Sequence, residues 1–358
     1  MTSSPHILIL GAGLVGLSSA EALLRRGARV TVVERAPAVM RGASFANSGM
    51  IHPSQACNWA GPANDAAVDA VVQDLALESM ALLQARMADL GLDSMLARSS
   101  GCFQIFDDPS DVDRAATRLQ ARGVAAEHRA ATPDTFGRAA LFFPADRSGD
   151  ARLYGEALAR SIVAQGGDIR LSAQTPEIAI GADGLAELRI GADILRADAI
   201  VVACGAQSAD VLRPFGIDLP VTPVRGWAVD YALPEDFALP DAPIMDAASR
   251  SALTKFSDRL RLSGTWDEAS VEPLLARWRA IAPDLMAAVA EPLQIWSGMR
   301  PVSSAGRPFI DRTSVPNLWV NAGHGHMGWT LCAGSGALLA DMISGGREDE
   351  RFSLAGSP

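Results

Sequence analysis

The stretch from Gly11 to Glu34 constrains this chain more than any other. His6-Ile7-Leu8-Ile9-Leu10 is a short apolar run with the character of a buried strand. Gly11-Ala12-Gly13-Leu14-Val15-Gly16 follows, then a segment of helical periodicity, then Ala28 to Val33 and the carboxylate of Glu34. A strand, a glycine turn, a helix and a second strand closed by an acid begin a doubly wound α/β sheet. In that arrangement Gly11 makes the tight turn, Gly13 lets backbone approach a pyrophosphate, and Gly16 lets the helix lie close to the strand. The helix N-terminus, with Leu14 and Val15 in its first turn, turns N–H groups and a positive dipole end toward phosphate. Glu34 stands 23 positions after Gly11, where a carboxylate accepts hydrogen bonds from a ribose diol. It would repel a 2′-phosphate, so the motif implies NAD or FAD rather than NADP. Arg35, the next residue, belongs to the same expected cofactor edge.

The chain has 358 residues, enough for about two domains. Its net charge of −10 argues against a nucleic-acid partner, which needs clustered cations. Cys57, Cys102, Cys204 and Cys332 are far apart and form no C-x-x-C, so neither a disulfide framework nor a zinc site is expected. No apolar run reaches transmembrane length, and the apolar N-terminus lacks a basic leader. These features predict a cytoplasmic protein and leave peripheral contact with a membrane open.

After Arg35 the segment Arg41 to Pro53 is small, polar and glycine-bearing, hence a loop with exposed backbone donors. Asp65 to Leu90 has helical periodicity. Ser99 to Phe106 reads as a strand, Asp107 to about Gly123 as a helix, and Ala140 to Pro144 as a strand running into a loop at Asp146 to Asp150. Tyr154 to Gln165 reads as a helix and Ile178 to Ile190 as a hairpin. Ala197 to Ala206 is a second apolar strand ending in a glycine turn, which would set Ala203 and Gly205 beside a bound nucleotide. Pro223 to Tyr231 and Ser251 to Leu262 alternate like antiparallel strands, and Pro273 to Arg279 and Pro283 to Val289 suggest short helices. Ile295 to Pro301 and Leu318 to Gly323 are further strands, and a helix runs from Leu331 to Ile343. The last residues, Gly345 to Pro358, read as frayed.

Three blocks together resemble the flavin-dependent D-amino-acid oxidase family, in its branch of D-amino-acid dehydrogenases and glycine oxidase. They are Gly11 to Glu34, Ser44 to Pro53, and Gly298-Met299-Arg300-Pro301 through Asn321-Ala322-Gly323-His324-Gly325-His326-Met327-Gly328-Trp329-Thr330. The resemblance implies a Rossmann-type FAD-binding domain with an inserted α+β substrate domain built on an antiparallel sheet. The FAD-binding part would comprise residues 1–80, 145–215 and 300–358, and the substrate part 81–144 and 216–299. It implies that Gly11, Gly13 and Gly16 cradle the pyrophosphate and that Glu34 holds the adenosine ribose. Ser44, Asn47, Ser48, Gly49 and Met50 would line the ribityl chain and flavin, and Pro176 would lie near the adenine. Gly325, His326, Met327, Gly328, Trp329 and Thr330 would run beside the isoalloxazine, with the following helix turning free N–H groups toward charge on the reduced ring. Covalent relatives carry cysteine where this chain has Gly298, so FAD is expected to be non-covalent.

Arg300 would bind the substrate carboxylate, because a guanidinium fork matches a carboxylate bidentately. His326 would stand near the substrate and His52 would face the pocket from the earlier loop. His324 and His326 have no third ligand in sight, so no metal is expected. The implied reaction is dehydrogenation of a D-amino acid by hydride transfer from Cα to flavin N5. The imine would hydrolyse to a 2-oxo acid and ammonia, and oxygen or a quinone would take the electrons. A glycine, sarcosine or cyclic imino-acid oxidase or dehydrogenase is the alternative. Ser251 to Phe256 lacks the tyrosine that glycine oxidase uses, which weighs against a glycine-type substrate. A flavin subunit active only in a hetero-oligomer and an RNA-modifying flavoprotein are more distant readings, the latter opposed by the acidic charge.

Overall fold

The computed structural model describes residues 4–56, 66–94, 100–173, 176–181, 183–234, 237–264, 268–346 and 348–354. Cys57 lies outside them. Its strands are β1 (His6–Leu10), β2 (Arg29–Val33), β3 (Met50–Ile51), β4 (Ser100–Ile105), β5 (Glu127–Arg129), β6 (Ala140–Ser148), β7 (Asp168–Arg170), β8 (Glu177–Ile180), β9 (Ala186–Ile190), β10 (Asp193–Ala197), β11 (Ala199–Val202), β12 (Val221–Ala232), β13 (Ile244–Asp246), β14 (Ser251–Lys255), β15 (Arg259–Gly264), β16 (Gln294–Ser303), β17 (Phe309–Arg312) and β18 (Leu318–Ala322). The α-helices are α1 (Leu14–Arg25), α2 (Ala66–Asp89), α3 (Pro109–Ala121), α4 (Ala151–Ala164), α5 (Ser208–Leu212), α6 (Glu272–Ile281), α7 (Pro283–Ala288) and α8 (Gly328–Ile343).

Strands β17-β18-β11-β1-β2-β7 form a six-stranded sheet, parallel except where β17 meets β18. Strand alternation builds a layer on each face. Ile7, Ile9, Val30, Val32 and Val201 pack under α1, α2, α4 and α8. Leu8, Leu10, Ile200, Val202 and Val320 pack against the small sheet β10-β9-β8. Both faces are therefore covered, as a parallel sheet of near-continuous apolar strands requires.

The second large sheet runs β16-β12-β15-β14-β13-β4-β6-β3, with β5 paired to β6; every pair is antiparallel except β13 with β4. Its two faces differ in kind. Val229, Tyr231, Leu253, Leu260 and Leu262 pack on Trp278, Leu274 and Leu285 of α6 and α7. The opposite face carries Gly226, Ala228 and Asp230 on β12, Ser263 and Arg261 on β15, and Ala252 and Thr254 on β14, all in register. Arg300, Gly298 and Trp296 of β16 continue this row. This face of small and charged residues packs in part on Phe45, Ala46 and Met50 of an earlier loop.

The resemblance-based fold, a Rossmann-type sheet with an inserted antiparallel sheet, is the observed one. The boundaries expected at 80/81 and 299/300 fall inside α2 and β16, which run through unbroken. Several local readings change. β6 continues through Pro144 to Ser148, because Pro144 lies where the pairing with β4 shifts register between Cys102–Phe143 and Ser100–Arg147. Ser251 to Leu262 is two strands rather than one. The C-terminal tail is docked through residue 354 rather than frayed. Phe352 is fully buried, Arg307 donates both Nη atoms to the Ser353 carbonyl at 3.1 Å, and Asp311 Oδ2 accepts from Leu354 N at 2.8 Å.

Candidate active site

The glycine turn leaves no room for side chains. Gly11 has φ +104°, and a Cβ there would meet the Ala203 carbonyl oxygen at 2.5 Å. A Cβ on Gly16 would meet the Gly11 carbonyl oxygen at 1.9 Å. Gly13 caps α1, its carbonyl taking the first helical bond from Leu17 N at 3.0 Å. Leu14 N donates to Ser44 Oγ at 3.2 Å, which brings the polar loop onto the first turn of α1. Val15 shares that turn. Glu34 accepts from Ala12 N through one oxygen and from Ala36 N through the other, both at 2.8 Å. These bonds hold its carboxylate beside the turn, where each oxygen keeps a lone pair for a further donor. Arg35 is exposed next to it. Ala203 is fixed by its N–H to the Leu10 carbonyl at 2.9 Å, and Gly205 opens a single 3₁₀ turn at φ +57°. Pro176 is half-buried and directly follows residues 174 and 175, which lie outside the described set.

The loop from Ser44 to Met50 is held from the antiparallel sheet. Arg261, itself buried and paired to Asp230 at 2.6 and 2.7 Å, donates to the Asn47 carbonyl at 3.0 Å. Thr254 Oγ1 donates to the Ser48 carbonyl at 2.6 Å. Within the loop Gly49 N donates to Asn47 Oδ1 at 2.9 Å, and Met50 N reaches Ser48 Oγ at 3.4 Å. Phe45 packs on Trp296 with ring centroids 5.9 Å apart, so the loop also touches β16. Arg261 and Thr254 were not legible as bracing residues. Strand alternation gives them a face, but only the fold shows that this face meets a loop more than two hundred positions earlier.

The third block starts its helix earlier than its sequence suggests. α8 begins at Gly328 rather than at Leu331. The first-turn N–H groups of Gly328, Trp329 and Thr330 therefore have no intrahelical acceptor and carry the positive end of the helix dipole. The Gly325 N–H donates to the Pro301 carbonyl at 2.8 Å, and Met327 N to the His324 carbonyl at 3.0 Å. Thr330 Oγ1 accepts from His52 N at 3.2 Å, which ties the second block to the third. The Trp329 indole N–H is buried with no hydrogen-bond partner among the described residues. A buried orphan donor next to free helix-terminal amides fits an acceptor-rich ring system, which is what an isoalloxazine presents.

Arg300, His326 and His52 come together. The His52 and His326 rings lie 6.0 Å apart at 27°. His52 is buried, and burial pushes its pKa down to about 4. His326 is pushed well below its usual value, first by burial and then by the charges of His52, Arg300 and Arg250. Both are neutral at physiological pH. His324 is sequestered elsewhere, its Nε2 3.0 Å from Ser335 Oγ and its pKa lowered by burial to about 3. No group of His, Cys, Asp or Glu among the described residues has a metal-binding arrangement. The Arg300 guanidinium lies flat over Gly226, where a Cβ would meet Nη1 at 2.0 Å. It donates to the carbonyls of Arg225 at 3.3 Å and Gly264 at 3.4 Å. Burial lowers its pKa to about 10, so it remains a cation near neutral pH at a cost that an arriving anion would offset.

Asp146 is a further buried acid, bonded to the backbone two residues after His52. It lies one residue beyond the Ile51–Arg147 pairing of β3 with β6. Oδ1 accepts from Ser54 N at 3.1 Å, while Oδ2 is buried with no hydrogen-bond partner among the described residues. Burial raises its pKa to about 7, with the Ser54 bonds and the Arg147 charge pulling the other way. The folded pKa lies above the unfolded value of about 4, so the folded state holds the extra proton between the two. This contribution to stability is full below about pH 4 and is lost as pH rises through about 7. Asp146→Asn keeps an acceptor for Ser54 and cannot ionise. Its melting temperature, followed by circular dichroism, is expected to rise relative to wild type between about pH 5 and about pH 8. Parallel curves for the two proteins would show that Asp146 is ionised in the fold.

The chain matches the family model described as FAD dependent oxidoreductase over residues 6–342. It is 32% identical to a D-amino acid dehydrogenase of Methylobacterium radiotolerans, covering 95% of this chain and 96% of that protein. A D-amino acid dehydrogenase of Dechloromonas aromatica is 31% identical, over 97% and 99% of the two chains. Among solved structures, glycine oxidase from Geobacillus kaustophilus superposes with a TM-score of 0.85 at 24% identity, over 99% of this chain and 100% of that one. Iminodiacetate oxidase from Chelativorans sp. BNC1 gives 0.81 at 23%, over 97% and 98%. These two share the fold. No helix among the described residues is long and apolar enough to cross a membrane. From the glycine turn at its start to the helix at its end, this chain belongs to the family of FAD dependent oxidoreductases.

Proposed function

We propose that the protein dehydrogenates a D-amino acid, using non-covalent FAD, and that Arg300 binds the substrate carboxylate. The observation that carries the reading is a half-buried guanidinium spread over Gly226, on the face of the antiparallel sheet opposite its helices. The D-amino acid dehydrogenases among its relatives support the substrate class.

In this reading Gly11, Gly13, Leu14, Val15 and Gly16 hold the pyrophosphate, and Glu34 holds the ribose. The loop Ser44 to Met50 and the segment Gly325 to Thr330 enclose the flavin from two sides. FAD supplies, when bound, the acceptor for the hydride that leaves Cα. The protein's work is placement: Arg300 fixes the carboxylate, and two neutral histidines line the pocket without adding charge. The substrate amine gives up its proton to solvent water before the Cα–H bond breaks, and the two imidazoles beside it stay neutral. The imine then hydrolyses to a 2-oxo acid and ammonia.

The test is anaerobic mixing of the holoenzyme with D-alanine, glycine, sarcosine or D-hydroxyproline while the visible flavin band is followed. Bleaching by D-alanine with slow or no bleaching by glycine is expected. Bleaching by glycine or sarcosine alone would move the protein to the alternative class. Peroxide formed under air would identify oxygen as acceptor; its absence, with activity on a quinone analogue, would identify a dehydrogenase.

A further inference from the structure

Gly226 of β12 and Gly298 of β16 stand directly opposite each other where the two strands pair. Neither lies in the left-handed region, so neither position needs the conformational freedom of glycine. Glycine inside a strand weakens it, because it has more freedom to lose and no side chain to pack. What both positions gain is the missing Cβ.

Each glycine is covered by the end of a long side chain. A Cβ on Gly226 would meet Nη1, Cζ and Nη2 of Arg300 at 2.0, 2.3 and 2.5 Å, so the guanidinium fills the place a side chain would take. A Cβ on Gly298 would meet Cη2, Cζ3 and Cζ2 of Trp296 at 2.0, 2.7 and 2.8 Å, so the indole does the same there. Directly opposed residues of an antiparallel pair hold their Cβ positions about 5 Å apart on one face. The guanidinium and the indole are therefore neighbours across the strand pair. The indole also packs on Phe45, with ring centroids 5.9 Å apart. The guanidinium donates to the carbonyls of Arg225 and Gly264 at 3.3 and 3.4 Å. Bonds of that length direct the fork but hold it weakly. Contact with the bare Cα of Gly226 is the firm stop beneath it.

We propose that Gly226 is a positioning residue: lacking a Cβ, it seats the Arg300 guanidinium close to the sheet and so fixes where the substrate carboxylate is held. This rests on the reading of Arg300 as the carboxylate site.

Gly226→Ala is the test. Its methyl must push the guanidinium away by about 1 Å or more to reach ordinary contact distance. The atoms it meets are the far end of a flexible side chain, so the fold should yield without damage. The purified holoenzyme should keep its flavin and a melting temperature equal to or above that of wild type. Acetate, titrated against the visible flavin band, should bind at least about tenfold more weakly, and kcat/KM for D-alanine should fall by about tenfold to about 100-fold. A double-mutant cycle with Arg300→Met separates positioning from structure. Adding Gly226→Ala to Arg300→Met should change acetate binding and kcat/KM by less than about twofold, because the methyl acts only by moving a guanidinium that is gone. Equal losses in both backgrounds would make Gly226 structural and overturn the proposal. Wild-type acetate affinity in Gly226→Ala, or a Gly226→Ala protein that does not fold, would overturn it as well. The parent reading fails separately, where Arg300→Met matches wild type in both measurements or wild type shows neither acetate binding nor turnover.

Discussion

Arg300→Met lowers kcat/KM for every D-amino acid at least about 100-fold, about 3 kcal/mol of lost transition-state stabilisation. Methionine approximates the length of the arginine stem and carries neither charge nor fork. The substrate carboxylate would then be buried against Gly226 with no counter-ion, and Cα would lose its fixed position. The fold should not suffer. Burial already destabilises this cation, its pKa having fallen to about 10, so removing the charge removes a cost. Melting temperature and flavin content are therefore expected to equal or exceed those of wild type. Arg300→Lys keeps the charge but not the bidentate match and should fall between the two. Steady-state kinetics with a flavin spectrum of each variant check all of this. Wild-type turnover by Arg300→Met would remove Arg300 from the site.

Gly16→Ala produces a protein without its yellow cofactor. The added methyl would stand 1.9 Å from the Gly11 carbonyl oxygen, and the next atom it meets is the Gly11 carbonyl carbon at 3.0 Å. Neither belongs to a side chain that could swing away. Helix α1 must lift from β1, which moves the N–H groups of its first turn away from the phosphates and costs about 1–3 kcal/mol of packing. At least about nine-tenths of the bound flavin should be lost on purification, with a lowered melting temperature. Gly42→Ala is the control: nothing lies within 4 Å of that position and its φ is ordinary, so flavin content should be unchanged. A fully loaded Gly16→Ala protein would show that the cofactor does not depend on this close approach.

Both predictions concern residues visible in the sequence, but for different reasons. Gly11, Gly13, Gly16 and Glu34 are legible because their roles are local. A strand, a turn and a helix within thirty residues fix one another's positions through short-range sterics, and an apolar run of parallel-sheet strands needs no distant partner to be recognised. Arg300 was legible only through resemblance. Nothing in Met299-Arg300-Pro301 says that its partner strand carries glycine at position 226, or that the guanidinium lies there.

Other errors have the same origin. The sequence suggests a helix only from Leu331, yet tertiary packing carries α8 back to Gly328. The tail beyond Gly345 has no periodicity, and one buried phenylalanine with a few hydrogen bonds to Arg307 and Asp311 docks it. His52 and His326 were each proposed for the pocket, but their 6.0 Å stacking is set by the Thr330 contact with the His52 backbone.

By itself, the sequence determined that this chain folds around a dinucleotide turn and that its strands alternate with helices, since propensity, periodicity and glycine sterics act over a few residues. Only the tertiary structure decided which face of the antiparallel sheet receives the loop from Ser44 to Met50, which arginines stand on it, and how Arg261, Thr254 and Asp230 hold that loop in place. Those are pairings across more than two hundred residues, and a one-residue slip in any strand would send each of these side chains to the opposite face.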